Sequence, residues 1–177
     1  MDPLQKYAEQ IAAIHHELEI PADYALSRRL ALQPEAIELV EIVGEPTDRQ
    51  RHLAPPTARA WLALQAAAAA EGIELRLLSA FRSVAYQRGI VERKRARGLS
   101  WEEIFRLSAA PGYSEHHTGK AIDLGTPGSA PLEETFAESE AFRWLLRHAP
   151  DRGWRLSFPV DNSHGIAFEP WHWFFQG

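Results

Sequence analysis

The chain has no cysteine among its 177 residues. Disulfide frameworks, thiolate zinc sites and cysteine nucleophiles are therefore excluded, and at this length a packed core can replace such staples. A basic excess is missing as well. Nineteen Lys and Arg stand against 24 Asp and Glu, a formal net charge of −5 that argues against a nucleic-acid partner. The single basic run, Arg88 to Arg97, reads as the solvated face of a helix. No stretch approaches 18 consecutive apolar residues, so no membrane span is expected. The N-terminal MDPLQKYAEQIAAIHHELEI has neither a basic segment nor an unbroken apolar one, which reads as no secretion signal. A cytoplasmic location is the expectation, unless the native start has been trimmed. Repeats, low-complexity segments and linkers are absent too. What remains, 45% hydrophobic and 24% charged residues, suits one soluble globular domain over residues 1–177.

Asp2 and Pro3 open an amphipathic helix over 3–19, with Leu4, Tyr7, Ile11, Ile14 and Leu18 on one face and Pro21 ending it. His15 and His16 are adjacent, not three or four apart, and both read as surface residues. A short strand is expected over 37–43. A second helix starts near Pro56 and closes at Gly72; IELRLL (73–78) alternates as a strand. A third helix covers about 84–97, and Ser100 with Glu103 forms a capping box opening another. Residues 119–124 are strand-like, 139–148 helical, and 153–175 short strands joined by turns. Helices early and strands late predict an α+β fold, a small antiparallel sheet flanked by helices.

The chemistry concentrates in two segments. In SEHHTGKAIDL, His116 precedes Asp123 by seven residues. With 119–124 as strand and 114–117 as the loop before it, both side chains can converge on one point. A carboxylate among Ala121, Ile122 and Leu124 is costly unless paired or ligated. In EPWH, Glu169 stands three residues before His172. Two imidazoles and a carboxylate form a catalytic zinc set that leaves a fourth position for water, whose proton Glu169 can take. Spacing alone leaves another reading open, in which Asp123 pairs with an arginine and His172 packs among Trp171, Trp173 and Phe174.

The same segments carry a resemblance. SEHHTGKAIDLG is similar to the S-x-H-x-x-G-x-A-x-D signature of the VanY-like D-alanyl-D-alanine metallopeptidases. EPWHW resembles their closing E-x-W-H, and SAFRSVAYQ their S-G-Y-R-S-x-x-x-Q, with Ala80 and Phe81 replacing glycine and tyrosine. The three blocks occur in the family's order across residues 52–177, the family-like catalytic core, while residues 1–50 form an N-terminal helical extension outside the match. The resemblance implies a hedgehog/D-Ala-D-Ala peptidase-like fold and one zinc held by His116, Asp123 and His172. It implies Glu169 as base, Arg82 as oxyanion stabiliser that also helps orient substrate, and Gln87 and Ser114 as contacts to the substrate peptide, including its terminal carboxylate. His117, where the family often has glutamine, is read as a non-ligand, and His164 as lining the cleft or packing.

Fold alone leaves rivals standing: a non-catalytic zinc module of the hedgehog type, or a phage-lysin endopeptidase. Glu169 together with Arg82 favours catalysis, and the lack of room for a wall-binding module favours a chain-end cutter. The resulting expectation is a carboxypeptidase that removes D-alanine from peptidoglycan stem peptides or muropeptides. Between D,D-cleavage of pentapeptides and L,D-cleavage of tetrapeptides, the missing secretion signal favours the L,D reaction. Glu115, Asp161 and Asn162 are candidate partners for the substrate's distal amine.

Overall fold

The computed structural model describes residues 2–43 and 51–177; the part of the N-terminal extension over 44–50 lies outside them. Helix α1 spans Pro3–Glu17, and its N-cap, Asp2, accepts a hydrogen bond from Leu4 N. One helical turn, α2 (Tyr24–Ser27), follows where the sequence carried no helical period. Strands β1 (Val40–Ile42) and β2 (Arg51–Leu53) pair antiparallel. Helix α3 (Pro55–Ala70) then leads to β3 (Arg76–Ser79). That strand begins three residues later than the alternation suggests. Gly72, at φ +76°, turns the chain so that Ile73 N closes on Ala68 O, and residues 71–73 finish the helix.

Helix α4 (Val84–Ala96) is capped by Ser83, and α5 (Trp101–Leu107) by the expected Ser100–Glu103 box. A 3₁₀ turn over Glu115–Thr118 precedes β4 (Ala121–Gly125). Helix α6 (Glu140–His148) follows Ser139, and β5 (Trp154–Leu156) and β6 (His172–Phe175) end the fold.

The four-stranded sheet is antiparallel with order β3-β4-β6-β5. All five residues of β4 are buried, as a central strand covered on both faces requires. Its register sets Asp123 directly opposite His172 on β6 and opposite Ser79 on β3, beyond a register shift between Leu77 and Ser79. One core cluster packs α3 and α6 on this sheet around Trp61, Trp144, Trp154 and Trp173, each no more than 1% exposed.

A second cluster joins the N-terminal segment to α4 and α5: Ile20 and Tyr24 pack with Val91, Ile104, Phe105 and Ala110. Tyr24 Oη accepts from the buried Ala110 N–H at 2.9 Å. His15, read from sequence as surface, instead bonds Pro111 O at 2.8 Å and sits against Tyr24 and Tyr113. Backbone bonds from Gln33 N to Gly112 O and from Ala36 N to His117 O tie the same segment to the loop bearing the site. No helix of the described residues is long and apolar enough to cross a membrane.

Candidate metal centre

Three of the residues singled out by motif meet in space. One ligand atom each from His116, Asp123 and His172 lies within 4.8 Å of the others, and all three residues are buried. Asp123 and His172 converge because a cross-strand pair on one face brings Cβ atoms to about 5 Å. His116 arrives from the 3₁₀ turn. Gly119 closes that turn at φ +66°, and a Cβ there would meet Ala54 N at 2.9 Å, so no other residue allows β4 to start where it does.

Hydrogen bonding fixes which nitrogens face inward. His116 Nδ1–H donates to Ala80 O at 2.6 Å, which leaves Nε2 as a lone-pair acceptor. Nε2 makes no hydrogen bond, yet lies 3.2 Å from Asp123 Oδ2. Burial, reinforced by Arg82, lowers the His116 pKa to about 4, so its imidazole is neutral. Two acceptors facing each other at that distance repel, and a cation bound to both would relieve the repulsion; Arg82 Nη2 stands only beside them, 3.6 Å from Asp123 Oδ2. On the other side, His172 Nε2–H donates to Glu115 Oε2 at 2.9 Å, turning Nδ1 towards Asp123 Oδ1, also at 2.9 Å. Burial opposes charge on His172, but the Asp123 and Glu115 carboxylates outweigh it and raise its pKa to about 10. A metal can replace the proton that this implies. Two imidazole nitrogens and one carboxylate oxygen are the donor set of a catalytic zinc site, and these residues fit it.

Around the three lie the other expected residues. Glu169 Oε2 is 4.0 Å from His172 Nδ1, and burial pushes its carboxyl up to about 7. A carboxyl so placed, titrating near neutrality, suits a general base. Arg82 Nη2 lies 3.6 Å from Asp123 Oδ2, and its buried Nε has no protein partner. Gln87 is 1% exposed and bridges: its Nε2 donates to Ala109 O, and its Oε1 accepts from Arg82 Nη1 at 3.4 Å. Ser114 is buried and makes no capping bond to the 3₁₀ turn. Arg82, Gln87, Ser114, His116, Glu169 and His172 line one cavity of about 40 Å³. A wider cleft of about 480 Å³ opens on the other side of Arg82 and Asp123, walled by β3, Phe81 and Tyr86.

The structure assigns Glu115 a place that motif reading missed. Its carboxylate, expected to meet a substrate amine, is already engaged at the rim of the small cavity: besides accepting from His172, it accepts from Ser157 Oγ (2.5 Å) and pairs with Arg155. Its carboxylate orients a metal-ligating imidazole and raises its basicity. The signal was its position beside His116, but the partner it serves is 57 residues away. Asn162 is likewise engaged, donating to Pro159 O and Ile166 O, and Asp161 lines a separate surface hollow. His117, buried, donates from Nδ1 to Arg82 O and accepts at Nε2 from Gly112 N, so it braces the loop. His164 packs edge-on to Phe158 and bonds Arg28 O.

This sheet, its paired His–Asp cross-strand ligands and the acid beside them can be compared with known proteins. The sequence model of the D-alanyl-D-alanine carboxypeptidase (VanY) family matches residues 50–177. The chain belongs to that family. The bifunctional D-Ala-D-Ala dipeptidase and carboxypeptidase VanXYC of Enterococcus gallinarum is 31% identical over 137 residues, 74% of this chain and 70% of that protein. Among solved structures, the LD-carboxypeptidase LdcB superposes with a TM-score of 0.72 at 27% identity, covering 81% of this chain and 70% of that one. VanYB in complex with D-alanine-D-alanine gives 0.65 at 26%, covering 89% and 81%. The fold is that of the D-Ala-D-Ala peptidases, and with its metal site the chain is a metallo-carboxypeptidase of that family.

Proposed function

We propose that this chain is a zinc-dependent carboxypeptidase that removes a C-terminal D-alanine from peptidoglycan stem peptides, with L,D-cleavage of the tetrapeptide preferred. The observation that carries the reading is the pair of facing acceptors, His116 Nε2 and Asp123 Oδ2, beside the raised carboxyl of Glu169. Zinc held by His116, Asp123 and His172 would polarise the scissile carbonyl and lower the pKa of water towards about 7. Glu169 takes a proton from the attacking water. The carbonyl carbon gains the oxygen, and Arg82 stabilises the negative charge that grows on the carbonyl oxygen. As the C–N bond breaks, Glu169 returns the proton to the leaving amine of D-alanine.

The two cavities divide the substrate. The small one, about 40 Å³ and walled by Leu107, Phe158 and Ile166, suits a terminal residue carrying only a methyl. The cleft of about 480 Å³ offers the preceding residue room. An L-centred diamino acid needs that room for its long side chain, whereas a D-alanine there would leave it unfilled. Likeness to LdcB supports the same choice. Steady-state kinetics on tetrapeptide and pentapeptide, side by side, test it: a higher kcat/KM for the tetrapeptide is expected. Preference for the pentapeptide would return the enzyme to the D,D reaction, and failure to cleave either with zinc bound would defeat the whole reading.

A further inference from the structure

The basic run on α4 is not uniformly solvated. Arg88 pairs outward with Glu17 and Glu92, and Arg95 lies over Trp101. Lys94 differs. It continues the inward stripe of Gln87 and Val91, spaced by four and three residues, and is half-buried. Its Nζ donates to Ser108 Oγ at 2.7 Å, and among the described residues it forms no ion pair with a carboxylate. Burial lowers its pKa, with Arg82 and Arg97 adding to the lowering and the Glu169 carboxylate opposing it. A half-buried ammonium without an ion-paired carboxylate is costly, so its bond to a residue that lines the small cavity needs a reason.

Ser108 supplies the connection. It ends α5 in extended conformation and lines the small cavity with Arg82, Ser114 and Glu169. Because the ammonium occupies a lone pair of its oxygen, the Ser108 O–H is free to donate elsewhere, and a hydroxyl polarised by a cation is the stronger donor. Ala109, next in the chain, is pinned by Gln87 Nε2 at 2.7 Å, so the pair does not drift.

We propose that Lys94, acting through Ser108, is the positive charge that recognises the free α-carboxylate of the substrate's last residue and restricts the enzyme to chain ends. This rests on the carboxypeptidase reading above. Lys94 is a specificity residue, because it meets substrate through the serine; the expected ligand is any peptide terminus with a free carboxylate on a small residue. The charge of the carboxylate, and not the shape of the terminal residue, is what it selects.

The test uses the zinc-loaded full chain and two tetrapeptides identical except for a free acid or a carboxamide on the terminal D-alanine. Wild type should prefer the acid strongly. K94M should raise KM for the acid by about 10- to 100-fold, the value of a lost charge-assisted contact, with kcat altered little. Its kcat/KM for the amide should stay near wild type, so the acid-over-amide ratio collapses, and K94R should restore part of it. S108A should produce the same collapse, and the double variant should add little to either. A K94M enzyme that keeps the wild-type ratio, or that loses both substrates equally, would overturn the assignment while leaving the peptidase intact. Wild type that cleaves neither peptide would overturn the carboxypeptidase reading and this inference together.

Discussion

Replacing Glu115 by Gln isolates one negative charge 2.9 Å from the outward nitrogen of His172. Glutamine keeps the length, and its carbonyl oxygen can still accept from Nε2–H, so the imidazole stays oriented. What disappears is the charge that makes Nδ1 more basic towards a dication. Partners of this kind contribute roughly 10- to 100-fold in metal affinity, which is about 1.4–2.8 kcal/mol. Arg155, 38% exposed, loses its partner but can turn to water, so the change should leave the fold largely intact. Competition against a chelator of known zinc affinity would read the loss directly. Activity at saturating zinc should recover most of the wild-type rate. The same variant has a signature in the metal-free protein. Although burial opposes it, bonding to His172 and Ser157 with the Arg155 charge holds the Glu115 carboxyl down to about 2. A depressed carboxyl contributes stability that is present above its ordinary pKa near 4.5 and lost as pH falls from there towards 2. Glu115→Gln should flatten that acid limb in chemical unfolding. An unchanged zinc affinity and an unchanged limb would refute the assignment and leave Glu115 a packing residue.

Other outcomes follow from the same geometry. His116→Ala or His172→Ala should abolish stoichiometric zinc, measured by elemental analysis, and chelator-stripped wild type should regain activity when zinc is returned. Glu169→Ala should keep zinc and lose roughly 10²–10⁴-fold in kcat, the scale of a missing general base. Arg82→Ala should keep zinc and lose roughly 10²–10³-fold, as other oxyanion contacts do. Tyr24→Phe leaves the buried Ala110 N–H without its acceptor, so thermal unfolding should show a loss of about 1–3 kcal/mol with zinc content unchanged. Stability unmoved by that change would mean the N-terminal segment is only laid on the core.

Much of the molecule is legible without coordinates because it depends on neighbours in the chain. The caps at Asp2 and at Ser100 with Glu103 work within three residues. The metal residues were equally visible, since each lies in a short motif whose residue types name its chemistry. What local signals could not show was anything set by pairing across the fold. The strand expected over 73–78 starts late because the helix before it closes through Ile73, and a separate register shift between Leu77 and Ser79 places Ser79 against Asp123. His15 looked like surface until Tyr24 and Tyr113 closed over it. Glu115 looked like a free acid until β5 and β6 brought Arg155 and His172 to it. Lys94 belonged to a run of charges until α5 returned Ser108 to within 2.7 Å. By itself, then, the sequence determined which groups exist, their local helices and turns, and the three residues suited to a metal. The tertiary structure alone decided which polar groups are satisfied by one another and which stay free for a ligand, because burial and distance between remote segments exist only once the sheet has closed.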